Sequence, residues 1–335
     1  MKNLSKIFNN RVVLITGGTG SFGSFFVKKT LEESRPKKLI IFSRDELKQF
    51  EMQNRFKNSN LRFFLGDVRD KERLLQAFKG VDYVVHAAAL KQVNAAEYNP
   101  EEFIKTNIIG AQNVINASIA CKVSKVISLS TDKASNPKNL YGVTKLCSDK
   151  LFISGNNLAG LNGTRFSIVR YGNVSGSRGS IIPLYRKLLN EKKKYLPITD
   201  MKMTRFLITL NEAYDFVCKS FINMSGGETF IPKLPSIKII DLANALDNKI
   251  KKKIIGIRPG EKIHETMFSE NDGTNIVEFK DYYVIIPETI FFKKKSHFLK
   301  NKLASKGKML KKTMDYSSGN NIFLTISEIK KKLNI

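Results

Sequence analysis

What the chain lacks narrows the field first. Its 335 residues include three cysteines, Cys121, Cys147 and Cys218, far apart and odd in number. That argues against a disulfide framework, and none has the spacing of a metal ligand. The histidines, His86, His264 and His297, are equally scattered. No metal site is expected. No apolar run approaches the ~20 residues of a membrane span. The opening MKNLSKIFNN is too polar for a secretory signal, so a cytoplasmic protein is expected. Acidic side chains are also scarce, 30 against 57 basic ones, for a formal net charge of +27. Such a balance can mark binding to nucleic acid or an anionic surface. Here the excess is mostly lysine, spread along the chain, with short clusters at Lys192–Lys194, Lys251–Lys253 and Lys293–Lys295. The spread reads as a solvated basic face suited to a phosphorylated substrate. Neither a nucleic acid nor a membrane partner is expected.

What is present is a regular alternation of strands and helices. RVVLIT (11–16), KKLIIFS (37–43), LRFFLGD (61–67), DYVVHAA (82–88), KVISLS (125–130) and FSIVRYG (166–172) are short apolar runs. Helical patterns separate them, over roughly 21–34, 45–57, 70–79, 98–120 and 138–156. That order implies a parallel sheet with helices on both faces. After about residue 175 the pattern loosens into short strands and turns around Pro183, Pro197, Pro232 and Pro235. Residues 285–335 are lysine-rich and weakly periodic up to a terminal helix expected at 326–333.

The first strand runs into TGGTGSFG, which sets Gly17, Thr19, Gly20, Ser21, Phe22 and Gly23 between a strand end and a helix start. Glycines there allow a tight turn and close approach of backbone to a pyrophosphate, and the helix N-terminus supplies unpaired N–H groups. The fold expected is a Rossmann-type, doubly wound parallel α/β sheet with a smaller C-terminal substrate lobe. Residues 8–175 would form the dinucleotide domain and 176–335 the lobe, interleaved with late strands of the sheet. The second strand ends in FSRDE. Ser43 and Arg44 suit a 2′-phosphate, which a guanidinium grips with two hydrogen bonds; Lys48 would support them. NADP is therefore expected over NAD, although Asp45 leaves NAD open. Asp67 and Val68 would flank the adenine. The small Ala87 and Ala88, before Lys91, would let backbone lie close to the cofactor.

Tyr141 and Lys145 stand i, i+4 on one helical face. An ammonium beside a phenol favours the phenolate. The pair could then take a hydroxyl proton as hydride leaves the same carbon. Upstream lies an unusual neighbouring pair, Asp132-Lys133, which a plain hydride-transfer site does not need.

The motifs TGGTGSFG, GDVRD, AAALK, STDK and YGVTK resemble the extended short-chain dehydrogenase/reductase family. Longer stretches, FSRDELKQ, HAAALKQVNAAEYNP, STDKASNPKNLYGVTKLCSDKLF, RYGNVSGSRGS, ITDMKMTRF and IGIRPGEKIHE, resemble its soluble UDP-N-acetylglucosamine 4,6-dehydratases. The inverting branch that begins pseudaminic acid synthesis is the nearest match, and the likeness spans nearly the whole chain. It implies roles for each group. Tyr141 takes the O4 proton while hydride leaves C4, with Lys145 and Thr131 in support. Neutral Lys133 removes H5, protonated Asp132 releases the C6 hydroxyl as water, and the hydride returns to C6. It also implies that Asn173, Arg205 and Arg258 hold the diphosphate with Arg178 nearby, that Glu261 takes the ribose, and that Lys91 lies near the sugar or nicotinamide. Relatives with this fold form homo-oligomers, dimers or hexamers. The rivals on the same scaffold are a UDP-sugar 4-epimerase, which has no use for Asp132-Lys133, and a C5-retaining dehydratase. A non-catalytic NADP-sensing regulator would be expected to lose Tyr141 or Lys145.

Overall fold

The computed structural model describes residues 4–272, 275–288 and 295–335. Lys293 and Lys294 lie outside them. The first half of the chain is an unbroken strand–helix alternation. In order it runs β1 (Val12–Thr16), α1 (Ser21–Glu33), β2 (Lys38–Ser43), α2 (Glu46–Arg55), β3 (Leu61–Leu65), α3 (Lys71–Ala77) and β4 (Tyr83–His86). Next come the short helices α4 (Val93–Tyr98) and α5 (Pro100–Phe103), a π-helical turn at Ile104–Ile109, α6 (Gly110–Ala120), β5 (Lys125–Thr131), α7 (Leu140–Ala159) and β6 (Arg165–Tyr171). The second half holds β7 (Asn173–Val174), α8 (Ile181–Asn190), β8 (Tyr195–Ile198), β9 (Thr204–Ile208), α9 (Leu210–Asn223), β10 (Thr229–Pro232), β11 (Ser236–Lys238) and α10 (Ile239–Leu246). It closes with β12 (Lys251–Ile254), β13 (Thr266–Phe268), β14 (Ile276–Glu278), β15 (Tyr282–Ile285), β16 (Lys308–Met309), β17 (Tyr316–Ser317) and α11 (Ile326–Leu333).

The main sheet has the order β16-β14-β15-β10-β6-β5-β4-β1-β2-β3. From β3 to β10 every pairing is parallel, and β15, β14 and β16 add an antiparallel edge. The strand order reverses at β1, as in doubly wound dinucleotide folds. Residues alternate between the two faces. Val13 and Ile15 pack into one core and Leu14 into the other; Ile41 and Ile40 divide the same way. Burial on both faces explains why these strands read as continuous apolar runs. Two further small cores, around Ile237–Leu242 and around Tyr185–Leu196, are built from the second half of the chain.

The helix expected over 98–120 is interrupted. Pro100 has no N–H to donate and disfavours helical backbone at Asn99, so α4 stops at Tyr98 and α5 begins at Pro100. The π-helical turn that follows buries Asn107, whose amide donates to the Leu90 carbonyl (2.9 Å) and to Thr144 Oγ1 (3.0 Å). Pro183, expected in a turn, sits in the first turn of α8, where a missing N–H does no harm.

Candidate active site

The parallel strands all end at the same edge of the sheet, and a cleft of about 640 Å³ opens there between sheet and second lobe. β1 delivers the glycine-rich turn. Gly17 has a φ of +65°, and a Cβ on it would lie 2.9 Å from Ala88 Cα and N. The turn therefore touches the backbone beyond β4, which only glycine permits. No side chain caps the N-terminus of α1 at Gly20, and its first turn carries no acid. Its amides and dipole end face the cleft, where Gly17, Gly20, Ser21, Phe22 and Gly23 form one wall. This cradle fits a dinucleotide pyrophosphate.

β5 leads into the Asp132-Lys133 pair. It ends at Thr131, a tight turn follows at Asp132–Ala134, and the chain re-enters helix at α7. Asn139 caps α7 by accepting from the Gly142 amide at 2.8 Å. Gly142 carries no side chain because the Lys133 carbonyl oxygen occupies the space a Cβ would fill. The turn and the helix are pressed together, and their side chains form a string. Thr131 stands beside the Tyr141 phenol and draws its pKa down, and both line the cleft. The Thr131 hydroxyl donates to Asp132 Oδ1 at 3.0 Å. Lys133 Nζ lies 3.1 Å from that same oxygen and 3.0 Å from Glu265 Oε1.

Burial decides the charges. Asp132 is fully buried, and desolvation raises its pKa against the pull of Lys133. For Lys133, burial alone would lower the pKa, but Asp132 and Glu265 together override it and raise it. The two carboxylates thus favour the charged form of Lys133. Burial also pushes the Tyr141 phenol up to about 12, against the pull of Lys133 and Thr131. The expected lowering by Lys145 is not what acts on it. Lys145 is buried one turn further along α7, with its own pKa lowered by desolvation and opposed by Asp149.

The chain matches the family described as "Polysaccharide biosynthesis protein" over residues 13–287. It is 56% identical over 315 residues to a UDP-N-acetylglucosamine 4,6-dehydratase (inverting) of Campylobacter jejuni subsp. jejuni serotype O:2, covering 94% of each chain. The chain belongs to the extended short-chain dehydrogenase/reductase family. A UDP-glucose 4-epimerase of Rickettsia akari (strain Hartford) is 40% identical over 334 residues, covering 98% of this chain and 96% of the other. The solved structure of Pen from Bacillus thuringiensis superposes with a TM-score of 0.86 at 37% identity, covering 97% of each.

On this dehydrogenase/reductase scaffold the other expected residues divide into groups. Lys91, Asn173, Arg178, Arg205, Arg258 and Glu261 all line the cleft. Arg178 turns to the cofactor side: its guanidinium donates to the Thr19 carbonyl (2.8 Å) and its amide to Ser21 Oγ (2.9 Å). Arg205 is buried with its Nη1 on the Thr204 and Ile263 carbonyls and its Nε 3.7 Å from Glu265. It therefore stands with the Lys133 group, apart from Arg258, which pairs with Glu261 at 3.9 Å. Ser43, Arg44, Lys48, Asp67 and Val68 are not among the residues that line the cleft: Ser43 ends β2 and Arg44 follows it, Lys48 lies on α2, and Asp67 and Val68 follow β3. Ser43 is buried and accepts from Gln49, and Val68 packs into the core. Asp67 holds Arg69 (2.9 Å) and Arg44 (3.4 Å). Ala87 and Ala88 donate their amides to Thr16 Oγ1, each at 3.2 Å.

Three site residues of this family member escape the sequence reading. Glu265 and Lys262 reach the Asp132–Ala134 turn from far along the chain: Glu265 Oε1 lies 3.0 Å from Lys133 Nζ, and Lys262 Nζ donates to the Ser135 carbonyl at 2.7 Å. Asp149 extends the Tyr141–Lys145 face by four residues, and its Oδ2 accepts from Ser130 (2.7 Å) and Arg170 (3.3 Å). The i+4 spacing was a usable signal for Asp149. Nothing local marks Glu265 or Lys262.

Proposed function

We propose that this enzyme is an NADP-dependent UDP-N-acetylglucosamine 4,6-dehydratase that inverts C5. It would be a hydro-lyase giving UDP-2-acetamido-2,6-dideoxy-beta-L-arabino-hex-4-ulose, the starting intermediate for pseudaminic acid and for glycosylation of flagellin or another surface protein. One observation carries the reading: a buried acid–amine pair, Asp132 and Lys133, shares the wall of the cleft with Tyr141 and is joined to it through Thr131. A hydride-transfer site alone has no use for that pair. The 56% identity to an inverting dehydratase supports the same substrate and outcome.

When bound, the nicotinamide supplies a hydride acceptor for C4 and a donor for C6. The chain does the rest. Tyr141 in its ionised form, which Lys133 and Thr131 favour against burial, accepts the O4 proton and becomes a neutral phenol. The ammonium of Lys133 passes one proton to Asp132 Oδ1, 3.1 Å away. That single shift makes a neutral amine and a neutral acid together. The amine then takes H5, and the acid protonates the departing C6 oxygen, which leaves as water. Both groups end with the charges they began with. Lys145 and the glycine-rich turn hold the cofactor, with Arg178 across its pyrophosphate. Arg258, Asn173 and Lys91 supply positive charge and polar contact for the diphosphate, Arg205 stays with the Lys133 group, and Glu261 receives the ribose. NADP is favoured because Arg44 and Ser43 stand at the end of β2, while Asp45 is engaged in capping α2 (3.0 Å to the Lys48 amide) and pairing with the Lys48 amine. Assembly is as a homo-oligomer, dimer or hexamer, for which Ile104, Ile109 and Val143 present exposed apolar surface.

The 40% identity to a UDP-glucose 4-epimerase favours a second reading, epimerisation without loss of water. Incubation with UDP-N-acetylglucosamine in heavy water, followed by NMR and mass spectrometry, separates the two. Dehydration loses one water, places deuterium at C5, and the ring couplings report the configuration there. A product of unchanged mass apart from exchange would overturn the dehydratase reading.

A further inference from the structure

Glu265 is a charged side chain in an expensive place. It is 2% exposed, sits just before β13, and faces the cleft. Its Oε1 lies 3.0 Å from Lys133 Nζ and 3.7 Å from Arg205 Nε. Its Oε2 is buried without a hydrogen-bond partner among the described residues. The backbone around it is firmly built: its amide donates to Ser318 Oγ at 2.9 Å, and the Ser318 amide donates back to its carbonyl at 2.8 Å. The segment leading to it clasps the catalytic turn twice more, through Asn139 Nδ2 to the Gly260 carbonyl (2.8 Å) and Lys262 Nζ to the Ser135 carbonyl (2.7 Å). One end of that segment carries Arg258 and Glu261, and the other carries the carboxylate that grips Lys133.

We propose that Glu265 is a positioning residue for the dehydration step: its carboxylate, supplied by the second lobe, holds the Lys133 amine against Asp132 and sets the pH at which that amine loses its proton. The proposal rests on the reading of Lys133 as the base that removes H5. Burying a carboxylate is costly unless it is paired. Here the pairing is with the one amine that must alternate between charged and neutral forms. The groups facing Lys133 are Asp132 on its own turn, Glu265 and Lys262 from the clasping segment, Arg205 from β9, Tyr141 from α7, and Lys91 beyond β4. Of the two carboxylates, Asp132 exchanges a proton with the amine. Glu265 stays ionised, drawing the ammonium into line and stabilising it each time it re-forms after H5 is taken. Removing the Glu265 charge lowers the pKa of the Lys133 amine.

The test uses the full-length protein and reads Lys133 directly. Acetic anhydride labels an amine only in its neutral form, and peptide mass spectrometry follows Lys133 against a lysine remote from the cleft. In the unaltered protein the Lys133 labelling midpoint should lie above the ordinary lysine value of about 10.4; a midpoint at or below it overturns the proposal, whatever the variants do. Glu265→Gln should move the midpoint down by about one pH unit or more, so that Lys133 labels about tenfold faster at pH 9. Glu265→Asp should leave it near the starting position. The alkaline limb of the dehydration rate, followed as water loss, should shift to lower pH in Glu265→Gln by the same amount. A merely structural role would lower turnover at every pH with the midpoint and the limb unmoved, and that result in folded Glu265→Gln overturns the proposal. Failure of the dehydratase reading shows separately, as absence of water loss in the unaltered enzyme, while the labelling midpoint still reports the contact.

Discussion

The contact between Gly142 and Lys133 offers a sharp test of the site, because a single methyl group probes it. In Gly142→Ala the new Cβ would overlap the Lys133 carbonyl oxygen and lie 3.0 Å from Pro137 Cβ. On an open helix the same change would add up to about 1 kcal/mol of stability through helix propensity. Here the opposing atoms are backbone and a proline ring, neither of which can rotate away. Overpacking of this kind costs roughly 1–3 kcal/mol. The balance is a net loss of up to about 2 kcal/mol, which for a chain of this size lowers Tm by up to about 3 °C. The larger effect should fall on chemistry. Relief of the overlap pushes the Asp132–Ala134 turn away from α7, and a displacement of about 1 Å at a reacting group can cost about 100-fold in rate. Thermal unfolding followed by circular dichroism gives the first number, and water loss from UDP-N-acetylglucosamine gives the second. A variant that melts at or above the parent temperature with full turnover would show that the turn and helix do not need this close approach, and the geometric argument for the site would fail.

Three other perturbations address separate parts of the molecule. Arg44→Ala removes a half-exposed guanidinium beside Asp67 and should weaken NADP about tenfold, the scale of one charged hydrogen bond, while leaving NAD unaffected; an equal loss for both nucleotides in a binding titration would refute the assignment. Asp149→Asn leaves Arg170 and Lys145 buried without their counter-charge and should cost about 3–5 kcal/mol in denaturant unfolding; a loss below about 1 kcal/mol would mean that the carboxylate is not their partner. His86 is fully buried against Thr16, and burial, helped by Lys145, lowers its pKa from 6.5 to about 3. The unfolded chain therefore binds a proton that the native state refuses between those values, so stability is lost as pH falls through that window, by up to about 1.4 kcal/mol per unit. His86→Gln should flatten that dependence, measured as urea midpoints from pH 4 to 7, and equal slopes in the two proteins would rule His86 out as the source.

The sheet is legible in the sequence because each of its strands announces itself locally. Val12–Thr16, Lys38–Ser43 and Lys125–Thr131 are buried on both faces, so they read as apolar runs, and their C-terminal ends carry the glycine-rich turn and the Asp132-Lys133 pair directly. Tyr141 and Lys145 are legible for the same reason, being four residues apart on one helix. The break at Pro100 shows the limit of periodicity: the apolar spacing continues through it, but the proline ring stops the helix and the π-helical turn resets the phase, which is what turns Asn107 inward onto Leu90 and Thr144. Charge states lie beyond the reach of spacing altogether. Adjacent in sequence, Asp132 and Lys133 suggest a pair that could exchange a proton, yet which of them holds it depends on Glu265 and Arg205, which arrive from strands of the second lobe far along the chain. Two carboxylates, Asp132 foremost and Glu265 at 3.0 Å, together outweigh the desolvation that would otherwise neutralise that amine. How readily Lys133 gives up its proton thus depends on how the chain around Glu265 and Arg205 meets the Asp132–Ala134 turn, and any change that loosens that contact should alter the pH dependence of water loss before it alters the binding of the nucleotide at β1.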